Sequence, residues 1–215
     1  MVAYSTRPAR EEDAPFLAWI MQEAGRGHVG IGSWDVMFPG DDADRLPILE
    51  ELVREGEGTY VHWSLFLIAE VGGESAAAVA GYISEEASGK RFTEVCRAVT
   101  ARRGWSEAQL ERATSSAFSR QYFSVTTPSE TWHVEWVATK SEFRGFGLNR
   151  ALLGELLTLG KARGLKTSHV GTYLGNEPAI AAYKAAGFQQ FADARNADYE
   201  RVFRTPGLVF FRQHL

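Results

Sequence analysis

Glu142-Phe143-Arg144-Gly145-Phe146-Gly147-Leu148-Asn149-Arg150-Ala151-Leu152-Leu153 is the stretch on which the reading of this chain turns. It follows an apolar run, residues 134–138, that reads as a strand, and it opens a strong helical pattern. A strand that turns through glycines into a helix start makes an anion site. Glycine lets the backbone approach closely, and the amides of the first helical turn point outward unpaired. The helix dipole adds positive potential at the same place. The first expectation is therefore a bound phosphate or pyrophosphate.

Working outward, the 215 residues are enough for one substantial core or two small ones. A hydrophobic fraction of 45% indicates a globular chain and argues against disorder. A net charge of −4, with no basic block, argues against nucleic acid as the main partner. The lone Cys96 has no second cysteine for an internal disulfide, and it fits a reducing, cytoplasmic setting. Residues 1–7 show no apolar signal region, and no run approaches the ~20 residues that span a bilayer. No membrane association is expected.

Upstream, residues 5–10 look like a short edge strand and turn, and residues 12–24 like a helix with Phe16, Leu17 and Ile20 inward. A glycine-rich loop, residues 25–42, carries Trp34 and Asp35. Residues 44–55 read as a helix, and residues 64–71 and 76–83 as a hairpin turning at Gly72-Gly73. Residues 85–130 break the strand rhythm and read as a helical excursion. Residues 92–101 could be helical, and Ser106-Glu107-Ala108-Gln109 is a capping-box signature for a helix running to about Arg120. Downstream, residues 132–138 form a strand. The next helix shows Leu148, Leu152, Leu156 and Leu159 at helical spacing, with Gly164 as its stop. Residues 168–173 read as a strand. Asn176-Glu177-Pro178 starts a helix with Asn176 as N-cap, and that helix ends at Gly187. Residues 208–211 close the chain as a strand.

A glycine-rich turn alone is compatible with several phosphate cradles. No Gly-Lys-Ser/Thr follows the glycines, so a Walker A loop fails. The dinucleotide fingerprint needs a small residue where Arg150 stands, and the turn falls past mid-chain. Arg144-Gly145-Phe146-Gly147-Leu148-Asn149 instead resembles the R/Q-x-x-G-x-G/A loop of the GNAT superfamily, the acyl-CoA-dependent N-acetyltransferases. Asn176 to Phe188 is similar to the family's second signature, N-x-x-A-x-x-x-Y-x-x-x-G-F, and Thr6 to Asp13 resembles its first strand and turn. Asn149 departs from the pattern, which has Gly or Ala there.

The resemblance implies an α/β fold of three layers: a mixed, mostly antiparallel central sheet flanked by helices, as one domain over residues 1–215 with a helical insertion around 85–130. It implies acetyl-CoA as co-substrate, gripped by the backbones of Arg144, Gly145, Phe146, Gly147, Leu148 and Asn149 at the pyrophosphate. Val137, Ala138 and Thr139 would pair with the pantetheine arm, and Asn176 would contact it. Arg150 is a candidate phosphate ligand. The implied partner is a small-molecule or peptide amine. Family members are often dimers, so a homodimer is compatible with the chain.

Acetyl transfer to an amine requires loss of the ammonium proton, whose pKa is about 10, donors for an oxyanion, and a proton for the departing thiolate. The resemblance gives the last task to Tyr183, although Ala179, Tyr183 and Ala186 also form a helical stripe that would suit a core. Glu135 is the candidate base, directly or through water, with His133 the alternative. Strict alternation puts Glu135, Val137 and Thr139 on one face of their strand, and Val134, Trp136 and Ala138 on the other. An aromatic and acidic wall around Trp34 and Asp35 would suit a cationic acceptor, and a solvated loop is the alternative. Cys96 has no base paired with it and reads as a buried hydrophobe. The histidines lack metal-ligand spacing, so no metal is expected. Competing functional readings are an acyl-CoA-binding module without catalysis and a dinucleotide oxidoreductase.

Overall fold

The computed structural model describes residues 3–111, 122, 123, 128 and 130–215. Seven strands form one sheet in the order β1-β2-β3-β4-β5-β7-β6. They are β1 (Tyr4–Pro8), β2 (Phe66–Val71), β3 (Glu74–Tyr82), β4 (Thr131–Thr139), β5 (Thr167–Tyr173), β6 (Gln189–Arg195) and β7 (Gly207–His214). Every neighbouring pair is antiparallel except β4–β5, which is parallel. The helices are α1 (Ala14–Arg26), α2 (Ser33–Met37), α3 (Asp42–Glu55), α4 (Gly89–Ala101), α5 (Leu148–Ala162), α6 (Glu177–Ala185) and α7 (Ala197–Phe203).

Alternation along β2 and β3 splits the apolar residues between two layers. Phe66, Ile68, Ala78 and Ala80 face a core built with α1 to α4, where Leu17, Ile20, Trp34, Leu52, Phe92 and Cys96 are buried. Leu67, Ala69, Ala77 and Val79 face the other core, built with α5 and α6. The expected three-layer architecture is the one observed.

Several local expectations change. The glycine-rich stretch expected as a loop contains α2. Leu159 is 43% exposed; the buried stripe of α5 centres on Leu152, Leu156 and Gly160. Gly160 leaves room for the Trp132 ring, which would lie 2.8 Å from an added Cβ. Strand β6 and helix α7 go beyond the sequence reading. The strand is a mostly exposed edge with weak alternation, and the helix has only seven residues, nucleated by Asn196, whose side chain accepts from the amides of Asp198 and Tyr199. The Ser106 capping box forms, with the Ser106 amide donating to Gln109 Oε1 at 2.8 Å. The continuation of that helix to Arg120 lies outside the described residues. In the excursion, α4 buries Phe92, Val95 and Val99 against the α1–α3 core.

Two features of β4 shape the site. It pairs with β5 only from Thr131↔Thr167 to Val134↔Val170. Beyond that point β4 continues against β3 while β5 continues against β7. The two parallel strands part, and the sheet opens. At the same place β4 bulges. Ala80 pairs with Glu135 and Ala78 with Ala138, so Trp136 and Val137 stand against Val79 alone. Trp136 takes φ +54°, a left-handed conformation that costs about 1–2 kcal/mol in a bulky residue. Its indole N–H donates to the Tyr60 carbonyl at 3.1 Å, and its ring lies 5.2 Å from that of Trp34. The bulge overturns the strict alternation expected for this strand. Glu135 now shares its face with Trp136 and Ala138, while Val137 belongs to the opposite core.

Candidate active site

A cleft of about 1770 Å³ runs through the opening between β4 and β5. One ligand of ordinary size occupies ~300–1,000 Å³, so this space admits two. Of the residues singled out in the sequence, Glu135, Val137, Ala138, Thr139, Arg144, Gly145, Gly147, Leu148, Asn149, Arg150, Asn176 and Tyr183 all line it, as do Trp34 and His133. Phe146 does not; its exposed ring borders a neighbouring hollow with Tyr4, Arg150 and Gly154. Asp35 does not line the cleft either.

The glycine loop forms one end. Gly145 and Gly147 take φ +83° and +79°, and Gly147 is the residue from which α5 begins. A Cβ built on either glycine meets nothing within 4 Å, so the space above the loop is open. The first-turn amides of a 15-residue helix face that space beside Arg144 and Arg150. Asn149, the departure from the family pattern, is accommodated because its side-chain carbonyl accepts from the Thr139 hydroxyl at 2.7 Å. That bond fastens the end of β4 to the start of α5. An open, amide-lined and cationic hollow suits a diphosphate.

Tyr183 projects from α6, and local backbone chemistry fixes it there. Gly187 at φ +96° ends the helix in a Schellman motif: the Phe188 amide donates to the Tyr183 carbonyl at 3.0 Å, and the Gly187 amide to that of Lys184 at 3.0 Å. The Phe188 and Phe211 rings then pack against the Tyr183 ring at 6.2 and 6.0 Å. Burial raises the phenol's pKa, and the charge of Glu135 raises it further, so Tyr183 stays protonated at neutral pH. Asn176 stands at the N-cap position as expected, but its side chain does not cap; its amide donates to Thr172 Oγ1 at 3.0 Å, inside the cleft.

Glu135 enters from β4. Its carboxylate accepts from the Tyr82 hydroxyl at 3.2 Å. His133 stacks on Tyr82 at 5.2 Å, and its Nε2 lies 3.0 Å from Ser84 Oγ. His169 faces His133 across the parallel register, with ring centroids 6.4 Å apart. It is 7% exposed and lines the cleft, and its buried Nδ1 has no hydrogen-bond partner among the described residues. Burial, with Arg212 nearby, lowers its pKa. Neither Tyr82 nor His169 emerged from the sequence. The signal was the His-Val pair at 133–134 and again at 169–170, which has meaning only once the two strands are paired.

Residues 25–42 supply structure behind the wall. Arg26 binds Asp35 and Asp42, each at 2.6 Å, and the buried Arg45 reaches Asp42 at 2.8 Å and Asp35 at 3.1 Å. Arg45 also donates to the carbonyls of Phe38 and Gly40. Burial pushes Asp35 upward, but the Arg26 hydrogen bond, the Gly32 amide and Arg45 together hold it below the usual carboxylate range. Asp35 thus braces α2 and sets Trp34, which is 2% exposed, against Phe92 and Trp136. The Tyr173 hydroxyl donates to the Gly25 carbonyl at 2.5 Å, tying this region to β5. Cys96 is fully buried and its thiol pKa is raised by burial, as befits a packing residue.

The family model described as Acetyltransferase (GNAT) family matches residues 33–188. Solved structures share the fold at low identity. An acetyltransferase crystal structure superposes with a TM-score of 0.68 at 19% identity, covering 98% of each chain. An N-acetyltransferase from Staphylococcus aureus Mu50 gives 0.64 at 16% identity, covering 98% of this chain and 100% of that one. The structure of yncA from Salmonella typhimurium with its cofactor acetyl-CoA gives 0.55 at 16% identity, covering 99% of this chain and 94% of that one. No curated protein matches the chain in sequence.

Proposed function

The chain belongs to the acetyltransferase (GNAT) family, and from that premise we propose that it transfers an acetyl group from acetyl-CoA to a primary amine, by direct attack within a ternary complex. Acetyl-CoA supplies the activated acyl group. The backbone amides of Arg144 to Asn149 bind its diphosphate, aided by Arg150, and Val137, Ala138, Thr139 and Asn176 hold the pantetheine arm. Glu135, directly or through water, takes the proton that the acceptor ammonium must lose. A backbone N–H near Val137 or Ala138 stabilises the oxyanion. Tyr183 delivers a proton or a hydrogen bond to the departing sulfur.

One observation carries this reading. A phenol kept protonated by burial, on α6, and a carboxylate close enough to affect it, on β4, line the same cleft beside an open glycine-lined cradle. An acid and a base held apart in one cleft answer two of the three demands of acetyl transfer, the proton taken from the ammonium and the proton given to the thiolate. The structural relative solved with acetyl-CoA supports the same ligand for this cleft.

Two measurements test it. Melting with acetyl-CoA should raise Tm by an amount that grows as RT ln(1 + [L]/Kd), and NAD(P) should do nothing. Thiol release over an amine panel should then show turnover. Stabilisation by NAD(P) without stabilisation by CoA would overturn the assignment. Stabilisation by acetyl-CoA with no turnover on any amine would make the chain a binding module.

A further inference from the structure

His169 is the buried histidine of the cleft, 7% exposed. It stands on β5 opposite His133, while the next residue, Val170, belongs to the core built with α5. The glycine loop leads into α5, so the helix that carries the diphosphate cradle packs on the other side of the sheet from His169. The strands part only after Val134 and Val170. Val137, where the pantetheine arm is placed, lies four residues beyond His133, ~13 Å at ~3.3 Å per residue. A ligand group that meets His169 therefore belongs to the acceptor and not to the carrier. The Phe191 ring packs on the imidazole at 4.9 Å, and the Arg212 guanidinium, from the residue paired with His169, lies over that same ring at 5.5 Å. Of the two ring nitrogens, Nδ1 is enclosed and has no partner; Nε2 is not enclosed, and it too makes no hydrogen bond among the described residues.

We propose that His169 is an acceptor-binding residue, a neutral imidazole that donates its Nε2–H to an oxygen on the body of the acceptor. This rests on the acetyltransferase reading above. A neutral imidazole holds one N–H and one lone pair. A proton on Nδ1 would be an enclosed donor with no acceptor, which folded proteins avoid. On Nε2 the proton faces the cleft, where a ligand can accept it. Protonating both nitrogens would enclose that unpaired N–H and add a charge near Arg212, so His169 does not compete with Glu135 as the base. The other ionisable groups on this face of the neighbouring strands are His133 and Glu135 on β4 and His214 on β7. The group that His169 meets is not the reacting nitrogen. An ammonium has no lone pair, and the free amine uses its own on the acetyl carbon. It is a second polar group, a hydroxyl or carbonyl oxygen set apart from the amine. A hydrocarbon body would leave the donor unpaired, and a fully protonated polyamine offers it no lone pair.

The intact chain is the material for the test, with an acetyl-CoA melt on every variant to report on the carrier site. Thiol-release kinetics compare two matched pairs, tyramine against phenethylamine and 6-aminohexan-1-ol against hexylamine, with spermidine alongside. In at least one pair the oxygen-bearing amine should have the higher kcat/KM, by about fivefold and through KM. In His169→Phe that ratio should fall toward one. In His169→Gln, whose side-chain amide keeps an N–H where Nε2–H stood, it should be retained. A merely structural role would move both members of a pair together. Nitrogen-15 NMR of the unaltered chain should show His169 as the neutral Nε2–H tautomer at pH 7. If His169→Phe does not fold, the matched pairs on the unaltered chain and the tautomer decide. Ratios of one in both pairs on the unaltered chain, a ratio unchanged in His169→Phe, or spermidine as the best substrate overturns the proposal. So does an Nδ1–H tautomer or an imidazolium at pH 7. A chain that turns over none of these amines, or that acetyl-CoA does not stabilise, loses the acetyltransferase reading and this proposal with it, whichever tautomer is found.

Discussion

The loop that carries Gly145 and Gly147 and the wall that carries Tyr60, Phe92 and Trp136 line the same cleft, yet they are built by opposite means. The loop is one continuous stretch whose contribution is mostly backbone: two left-handed glycines and a helix start, fastened to β4 by one side-chain bond from Thr139 to Asn149. The wall is made of side chains from five separate segments, held by a bulged strand and an arginine–aspartate network. In the proposed reaction the backbone amides would recognise the diphosphate of the carrier, and the side chains brought from far apart would meet the acceptor.

Breaking the chemistry where the two halves meet should have the largest effect. Tyr183→Phe keeps the ring packing and removes the phenol; kcat should fall by about 100-fold or more, with the acetyl-CoA Tm shift retained. An unchanged kcat would remove Tyr183 from the reaction.

The wall is next. Arg45→Leu strips the buried bridge between Asp35, Asp42 and two carbonyls, and should cost about 2–3 kcal/mol in denaturant unfolding. Because this network sits behind the wall, the acetyl-CoA shift of the folded fraction should survive. Loss of carrier binding would erase the contrast drawn here.

The loop should respond in the reverse sense. Gly147→Ala meets no neighbour, so its cost is the left-handed backbone, about 1 kcal/mol. Acetyl-CoA should bind about fivefold more weakly when that energy is lost from the bound geometry, while the preference among amines stays as it was. Titration by Tm shift and the amine ratio read the two effects separately.

The smallest effect is on pH. The pKa of His169 is lowered in the folded chain, by burial and then by Arg212. Its neutral form therefore stabilises the fold fully above the unfolded value near 6.5, and that contribution is lost as pH falls through the lowered pKa. His169→Gln should flatten this part of the Tm–pH curve on the acid side. A curve of unchanged slope would show that His169 titrates freely.

The legible parts of this protein were the local ones. Glycine at φ > 0, the Schellman end at Gly187 and the helical leucine spacing act over a few residues, so order along the chain suffices to read them. Strict alternation failed at Trp136 because a bulge is decided by the partner strand and by what locks the strained residue, here the Tyr60 carbonyl and Trp34. Asp35 looked like a candidate for the acceptor wall from its loop, but Arg45, ten residues on, engages it from α3. The sequence by itself determined the family and, through that resemblance, the layer architecture, and it marked the glycine turn into a helix, since short motifs and turn chemistry are local. Only the tertiary structure decided the course of the ring wall, the nearness of Glu135 on β4 to Tyr183 on α6, and the pairing of His133 with His169, because those depend on register and burial between segments that local order does not connect.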